Sequence, residues 1–450
     1  MKLTIPKKTF QFSARINQAF LMPARYIAVL LGLSMLTGLL TGITGTLFHI
    51  SVDSVFHWRN ELIQQFNQQP VLHWLIPSLS TALMLYLALF IVRRFAPEAA
   101  GSGIQEIEGA LEGSRENFWH RLLPVKFIAG VLTIGSGMVM GREGPTIHMG
   151  GSLGHMVSKV FKTNNDNKNT LITAGAAAGL SAAFNTPLAA ILFGIEEMRA
   201  QFKYGTYSVQ AVALAVFIAA VVVRLYTGQV PAINMSHFAA PPLTSLPLFF
   251  ILGLVFGTLG ILFNRALIIG LDLLSNTQSD INTLLTLLIG AVIGYLGSLW
   301  PHATGSGDLT LLWAMEHTGS ISLLILLFFV RIATTLLSYS SGAPGGIFAP
   351  MLALGTLLGL WYGHYVNIYF PTLDLQPGLF AIAGMGALFA ATVRAPLTGI
   401  ALSIELTNNY SLILPLILTV ATATVTAELL GGKPIYSLLL ERTLKREHKS

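Results

Sequence analysis

The amino-acid sequence predicts an all-α polytopic membrane protein in which two related halves of the chain build one structure. Three observations predict it: charge is scarce, apolar runs recur along the whole chain, and the second half repeats motifs of the first. Of 450 residues, 53% are hydrophobic and only 10% are charged. A soluble globular chain carries roughly 25% charged residues, and the mean hydropathy here is +0.67. Such a chain has too little polar surface to face water on all sides.

The apolar runs come at 27–50, 74–92, 127–141, 170–195, 209–223, 246–263, 283–300, 321–340, 351–370, 379–404 and 412–430. A spanning helix needs roughly 20 residues. Several runs are shorter than that or are interrupted by some of the 43 Gly and 20 Pro, which points to broken and re-entrant helices lined by protein or a water-filled cavity. The first run is too long for a signal-peptide core and reads as a retained span. The divisions expected are an N-terminal segment at 1–26, a first membrane repeat at 27–225, a loop at 226–245, a second repeat at 246–436 and a tail at 437–450.

Formal net charge is +6. Basic residues gather at both ends, with Lys2, Lys7, Lys8, Arg15 and Arg25 before the first run and Arg442, Lys445, Arg446 and Lys449 at the tail. The positive-inside rule then places both termini in the cytoplasm, with an even number of crossings. These charges flank spans, so no nucleic-acid partner is expected. The chain has no Cys, which excludes disulfides and thiolate metal sites. His148 and His155 share a helical spacing, but no ligand cluster appears, and neither a metal nor another cofactor is expected.

The repeat is specific. "SGMVMGREGPTIHMGGSLG" aligns with "SGAPGGIFAPMLALGTLLG", so that Gly141 matches Gly346, Pro145 matches Pro350 and Gly150 matches Gly355, each pair 205 apart. Lys126 and Arg331 keep the same spacing, Pro187 with Pro396 and Glu196 with Glu405 lie 209 apart, and "GSGI" at 101–104 precedes "GSGD" at 305–308. Duplicated halves are typical of transporters whose site lies between the halves.

Four joints share one grammar, glycines followed by a helix start: 101–109, 141–151, 345–355 and 431–440. Helix N-termini present unpaired N–H groups and partial positive charge, and so bind anions. Glycine lets backbone approach a ligand, and Ser102 and Tyr436 add hydroxyl donors. Partial charges hold an anion and still release it. Within this setting an acidic side chain at Glu143 is expensive and marks function. The alternative is that it pairs with Arg142 or caps its helix. Glu108 and Lys126 read as a structural pair, and Glu197 as a functional acid or a partner of Arg199. Ser102 as a hydrolytic nucleophile lacks a partner His, so no enzyme is expected.

At these motifs, "GSGI", "GREGP", "GGIFAP" and the Tyr436 of "GGKPIYS", the sequence resembles the CLC family of chloride channels and proton/chloride antiporters, and most of all its bacterial antiporters. The resemblance implies a CLC-type fold with two inverted-topology repeats, an inner-membrane homodimer and one anion pathway per subunit. It implies an anion site formed by Ser102, Gly103, Ile104, Gly144, Ile347, Phe348 and Tyr436, with Glu143 as external gate. It also implies that Glu197 takes protons from the cytoplasm, with Glu196 a helper. The expected activity is chloride/proton exchange, and a passive voltage- or pH-gated chloride channel is the alternative. The family's first motif usually ends in proline. Here Gln105 stands there, and a looser turn is expected. Serine at 102 implies chloride over nitrate.

Overall fold

The structure, a computed structural model, describes residues 24–66, 68–198, 205–228, 237–275, 279–316 and 320–447. The first half contributes α1 (Ala24–Gln65), α2 (Leu72–Phe95), α3 (Ile104–Glu112), α4 (Trp119–Gly135), α5 (Glu143–Val160), α6 (Asn165–Phe184), α7 (Pro187–Glu196) and α8 (Thr206–Thr227). The second contributes α9 (Leu246–Ser275), α10 (Ser279–Leu299), α11 (Asp308–Glu316), α12 (Ile321–Ser340), α13 (Phe348–Tyr369), α14 (Pro377–Val393), α15 (Pro396–Thr407) and α16 (Ile413–Leu429). A last helix, α17 (Ile435–Glu447), carries Tyr436. Lys2, Lys7, Lys8, Arg15, Lys449 and Arg199 lie outside the described residues.

The interrupted runs break where the sequence places its stops. The run 170–195 divides into α6 and α7 at Asn185, whose φ of 56° is left-handed, and Pro187 opens the next helix. The run 379–404 divides in the same way at Arg394, with φ 72°, before Pro396. A left-handed residue costs roughly 1–2 kcal/mol outside glycine, and a proline at the first helical position has no N–H to waste. The paired breaks leave two short helices, α7 and α15, that pack on each other across the two halves.

Among the described residues, seven helical stretches are long and apolar enough to cross a membrane: α1, α2, α8, Leu243–Ser275, Ile281–Leu299, α12 and Tyr410–Leu429. Other helices are glycine-rich and more deeply buried. α6 and α14 are buried almost all round. α5 meets α6 through Gly150 and Gly175, and α13 meets α14 through Gly355 and Gly384. A Cβ at any of these would collide with the backbone of the opposing helix. Where lipid removes the hydrophobic drive between helices, such close backbone approach supplies the packing.

The halves also repeat their polar contacts. Gly101 N–H donates to Gly342 O at 3.2 Å, and Gly305 N–H donates to Gly137 O at 3.0 Å. Lys126, fully buried, donates from Nζ to Ala99 O at 2.9 Å and Gly101 O at 2.7 Å. Its counterpart Arg331 donates to His302 O (2.9 Å), Thr304 O (3.0 Å), Thr310 Oγ1 (2.8 Å) and Gly305 O (3.0 Å). Each cation thus ties down the loop ahead of a short helix with carbonyl oxygens. Lys126 is held by these carbonyls, and the pairing with Glu108 expected from charge alone does not form.

The segment expected as a tail from 437 is helical through Glu447, with Leu439 and Leu440 buried. The boundary at 436 therefore falls inside α17. Arg115 joins Glu106 of α3 to Glu447, and Arg442 joins α17 to Asp272 at 2.6 Å.

Candidate functional site

The two joints 141–147 and 345–351 meet back to back. Gly141 N–H donates to Gly346 O at 2.9 Å and Gly346 N–H donates to Gly141 O at 2.7 Å, an isolated antiparallel bridge between the halves. Glu143 and Gly144 open α5, and Phe348 opens α13 with Ile347 before it. The bridge brings both helix N-termini to one point. In α13 the first hydrogen bond to Ile347 O comes from Met351, so the N–H groups of Ile347 and Phe348 stand free of the helical ladder.

Glu143 is wholly buried, and its Oε1 accepts from Ala349 N–H at 2.9 Å. The acid of one half is thus seated on the helix N-terminus of the other. The resemblance implied donors at Ile347 and Phe348, and Ala349, the next N–H along, was not among the expected residues. Oε2 has no partner among the described residues. Arg142 does not pair with this carboxylate. Its Nε donates to Ala183 O at 3.0 Å, in the last turn of α6, and its Nη1 lies 3.0 Å from His49 Nε2.

Ser102 lies in the turn before α3, beside Gly144. A Cβ on Gly144 would fall 2.6 Å from Ser102 Oγ and 3.0 Å from Gly346 Cα, so only glycine fits between the two joints. Tyr436 stacks obliquely on Phe348, with centroids 5.9 Å apart, and Phe348 also packs on Phe193 and Phe389. Ser102 Oγ and Tyr436 OH are fully buried and face each other, and neither reaches any further hydrogen-bond partner among the described residues. Buried hydroxyls in native proteins are normally satisfied. Two left open beside a buried carboxylate and two helix N-termini form a pocket suited to an anion.

Gly103 sits at the N-cap of α3 with φ 89°, and Ile104 is its first residue. Gly103 N–H donates to Gln105 Oε1 at 3.1 Å. The looser turn expected from Gln105 is therefore not what forms, because the side chain of Gln105 closes the turn with an added hydrogen bond. The imidazole of His148, on α5, packs against the bare Cα of Gly103. Its Nδ1 has no partner among the described residues.

Glu197 follows the last residue of α7. Its carboxyl group interacts with that of Glu108 on α3. Glu196 takes another direction. Its oxygens accept from Leu397 N–H (2.9 Å) and Thr398 N–H (2.7 Å) at the start of α15. Glu405 reciprocates on α7, accepting from Leu188 N–H (3.0 Å) and Ala189 N–H (2.7 Å).

Two cavities of about 760 Å³ each approach this centre. One reaches Gly101 and Gln105 beside Ser102, and the other reaches Arg142 beside Glu143.

Residues 84–428 match the family model for the voltage gated chloride channel. The chain belongs to this family, the CLC family of the sequence analysis. An H(+)/Cl(-) exchange transporter ClcA from Vibrio cholerae serotype O1 is 49% identical over 437 residues, covering 96% of this chain and 93% of the relative. The transporter of the same name from Salmonella paratyphi B is 48% identical over 425 residues, covering 94% and 90%. The X-ray structure of a slow cyanobacterial Cl-/H+ antiporter superposes with a TM-score of 0.90 at 43% identity, covering 93% of this chain and 99% of that one. The CLC helices are thus the scaffold of the buried Glu143, Ser102 and Tyr436 cluster.

Proposed function

We propose that this CLC protein exchanges chloride for protons across a bacterial inner membrane. The observation that carries the reading is the buried Glu143 carboxylate seated on Ala349 N–H, beside the open hydroxyls of Ser102 and Tyr436. A carboxylate and a chloride compete for one set of helix N-termini. Ionised, Glu143 occupies the donors and excludes chloride. Protonated, it is neutral, leaves, and admits the halide. Like charges at one site disfavour each other, so bound chloride favours the protonated gate and the two fluxes become linked.

In this reading Ser102 and Tyr436, with the N–H groups of Ile104, Gly144, Ile347 and Phe348, hold the central anion, and Gly103 lends its backbone to the same loop. Glu197, beside Glu108, loads protons from the cytoplasm. The names of the bacterial relatives support the coupled activity, and the paired polar contacts support two repeats of opposite orientation, at 27–225 and 246–436. A homodimer with cytoplasmic termini fits the family and the basic flanks.

Purified protein in vesicles, with chloride and pH recorded together, tests the reading. A chloride gradient should drive protons uphill in the unaltered protein. Glu143→Gln should pass chloride with proton transport abolished, and Glu197→Ala should pass chloride with little coupling. A reversal potential that ignores pH would identify a passive channel, and uphill proton movement in Glu143→Gln would refute the gate.

A further inference from the structure

Among the described residues, three cationic side chains, Lys126, Arg331 and Arg59, are buried inside the protein, and their partners differ. Lys126 and Arg331 point into loop carbonyls at normal hydrogen-bond distances. Arg59, on α1, is 3% exposed. Its Nε donates to Thr81 Oγ1 at a long 3.3 Å, and Thr81 Oγ1 donates in turn to Ser136 O at the end of α4. Its Nη1 reaches Asn60 Oδ1 at 3.4 Å, and its Nη2 has no partner among the described residues. No carboxylate lies within ion-pair distance of it among those residues. The Thr81 relay sets Nε on the negative end of α4, and of the three guanidinium nitrogens only Nη2 is left without a partner among the described residues.

Arg59 is one of the residues lining the cavity that reaches Arg142. Two glycines pack against its guanidinium and leave it room. A Cβ on Gly137 would lie 3.1 Å from Arg59 Cζ, and one on Gly297 would lie 3.2 Å from Nη2. A desolvated guanidinium with open donors and no counter-charge is costly, and anion binding offsets that cost. Asp53 and Asp308 lie on the same walls. Their charge disfavours polyvalent anions and keeps the hold on a small one weak, as a passage site requires.

We propose that Arg59 holds a small monovalent anion, chloride in transport, at a subsite in the vestibule on the Arg142 side of the Glu143 gate. The anion sits on Nη2 before it reaches the gate or after it leaves, so the residue sets how well dilute chloride is captured from that side. Arg59 makes no contact with Glu143 and does not set the coupling. The identity of the anion rests on the exchange reading above, while the geometry of the subsite stands on Arg59 itself.

Bromide-soaked crystals of the unaltered protein test this directly. Anomalous density within hydrogen-bond reach of Arg59 Nη2 is expected, in addition to density beside Ser102 and Tyr436. Density at the Ser102 site alone overturns the subsite and leaves the exchanger reading intact, and density at neither sinks both. In vesicles, Arg59→Met should raise the chloride concentration for half-maximal exchange from that side roughly ten-fold, the loss of one charge-assisted hydrogen bond. The chloride-to-proton ratio should not change, and Arg59→Lys should restore most of the capture. A melting temperature lowered by Arg59→Met with half-saturation unmoved would assign the residue to α4 alone and overturn the proposal. If that variant does not fold, the bromide map decides.

Discussion

Glu143 and Phe348 occupy the same position in the two halves, 205 residues apart. Each opens a helix two residues after the glycine of the Gly141–Gly346 bridge, and each has a proline two residues further on. The backbones match and the side chains do not. One half supplies an ionisable group, and the other supplies an aromatic wall and the N–H of Ala349 that receives the carboxylate. Ser102 and Ser306 differ in the same way. Ser306 Oγ is bonded to Asp308 at 3.1 Å, whereas Ser102 Oγ is open. Duplication therefore explains the scaffold, and chemistry enters where the copies diverge.

The strongest way to break this comparison is through the bridge the halves share. Gly346 has no positive φ, so alanine can adopt its backbone. Its Cβ would nevertheless lie 2.7 Å from Glu143 Oε1 and 2.8 Å from Gly144 N. Gly346→Ala should therefore push the Gly144 backbone away and displace the carboxylate from Ala349. Exchange measured at saturating chloride should fall about 100-fold, the scale of a 1 Å misplacement at a reacting centre. Activity within two-fold of the unaltered protein would show that the bridge does not position the gate.

A smaller effect separates structure from proton handling in the matched pair Glu196 and Glu405. Each caps the short helix of the opposite half with both carboxylate oxygens. Replacing either by glutamine should cost about 1 kcal/mol, the usual size of a lost N-cap, read as similar falls in melting temperature. Coupling should survive in both. Slower proton entry in Glu196→Gln but not in Glu405→Gln would give Glu196 the helper role and end the symmetry of the pair.

The sequence made the duplicated parts legible because they rest on main-chain requirements. Glycine at 141 and 346 and proline at 187 and 396 mark joints whatever surrounds them, and the helices break there. Ser102, Glu143 and Tyr436 stood out for a related reason: polar side chains are conspicuous in apolar sequence. What stayed hidden depends on where a flexible side chain turns. Lys126 looked like a partner for Glu108 because charges suggest pairing, yet carbonyls closer to Lys126 take its ammonium. Arg59 sat among polar residues at the end of an apolar run and carried no signal, since a one-dimensional reading cannot tell an interfacial arginine from a buried one. Ala349 was invisible because its contribution is an N–H that every residue but proline has.

Gln105 gives the smallest test and the sharpest contrast with the expectation drawn from its family. Its Oε1 takes Gly103 N–H, a donor at the mouth of α3 that lies next to Ser102. The bond has two opposing consequences. It holds the turn that presents Ser102, and it removes one N–H from those available to the anion. Gln105→Ala should release that donor, and a single neutral hydrogen bond of net worth about 0.7 kcal/mol would tighten chloride binding roughly three-fold. Calorimetric titration of chloride measures this, and Gln105→Glu, which keeps the acceptor, should not show the gain. Weaker binding in Gln105→Ala would mean that holding the Ser102 turn matters more than the donor it consumes. The two halves then contrast once more, because Leu309 stands where the alignment of "GSGD" with "GSGI" places Gln105, and no side-chain acceptor is available there.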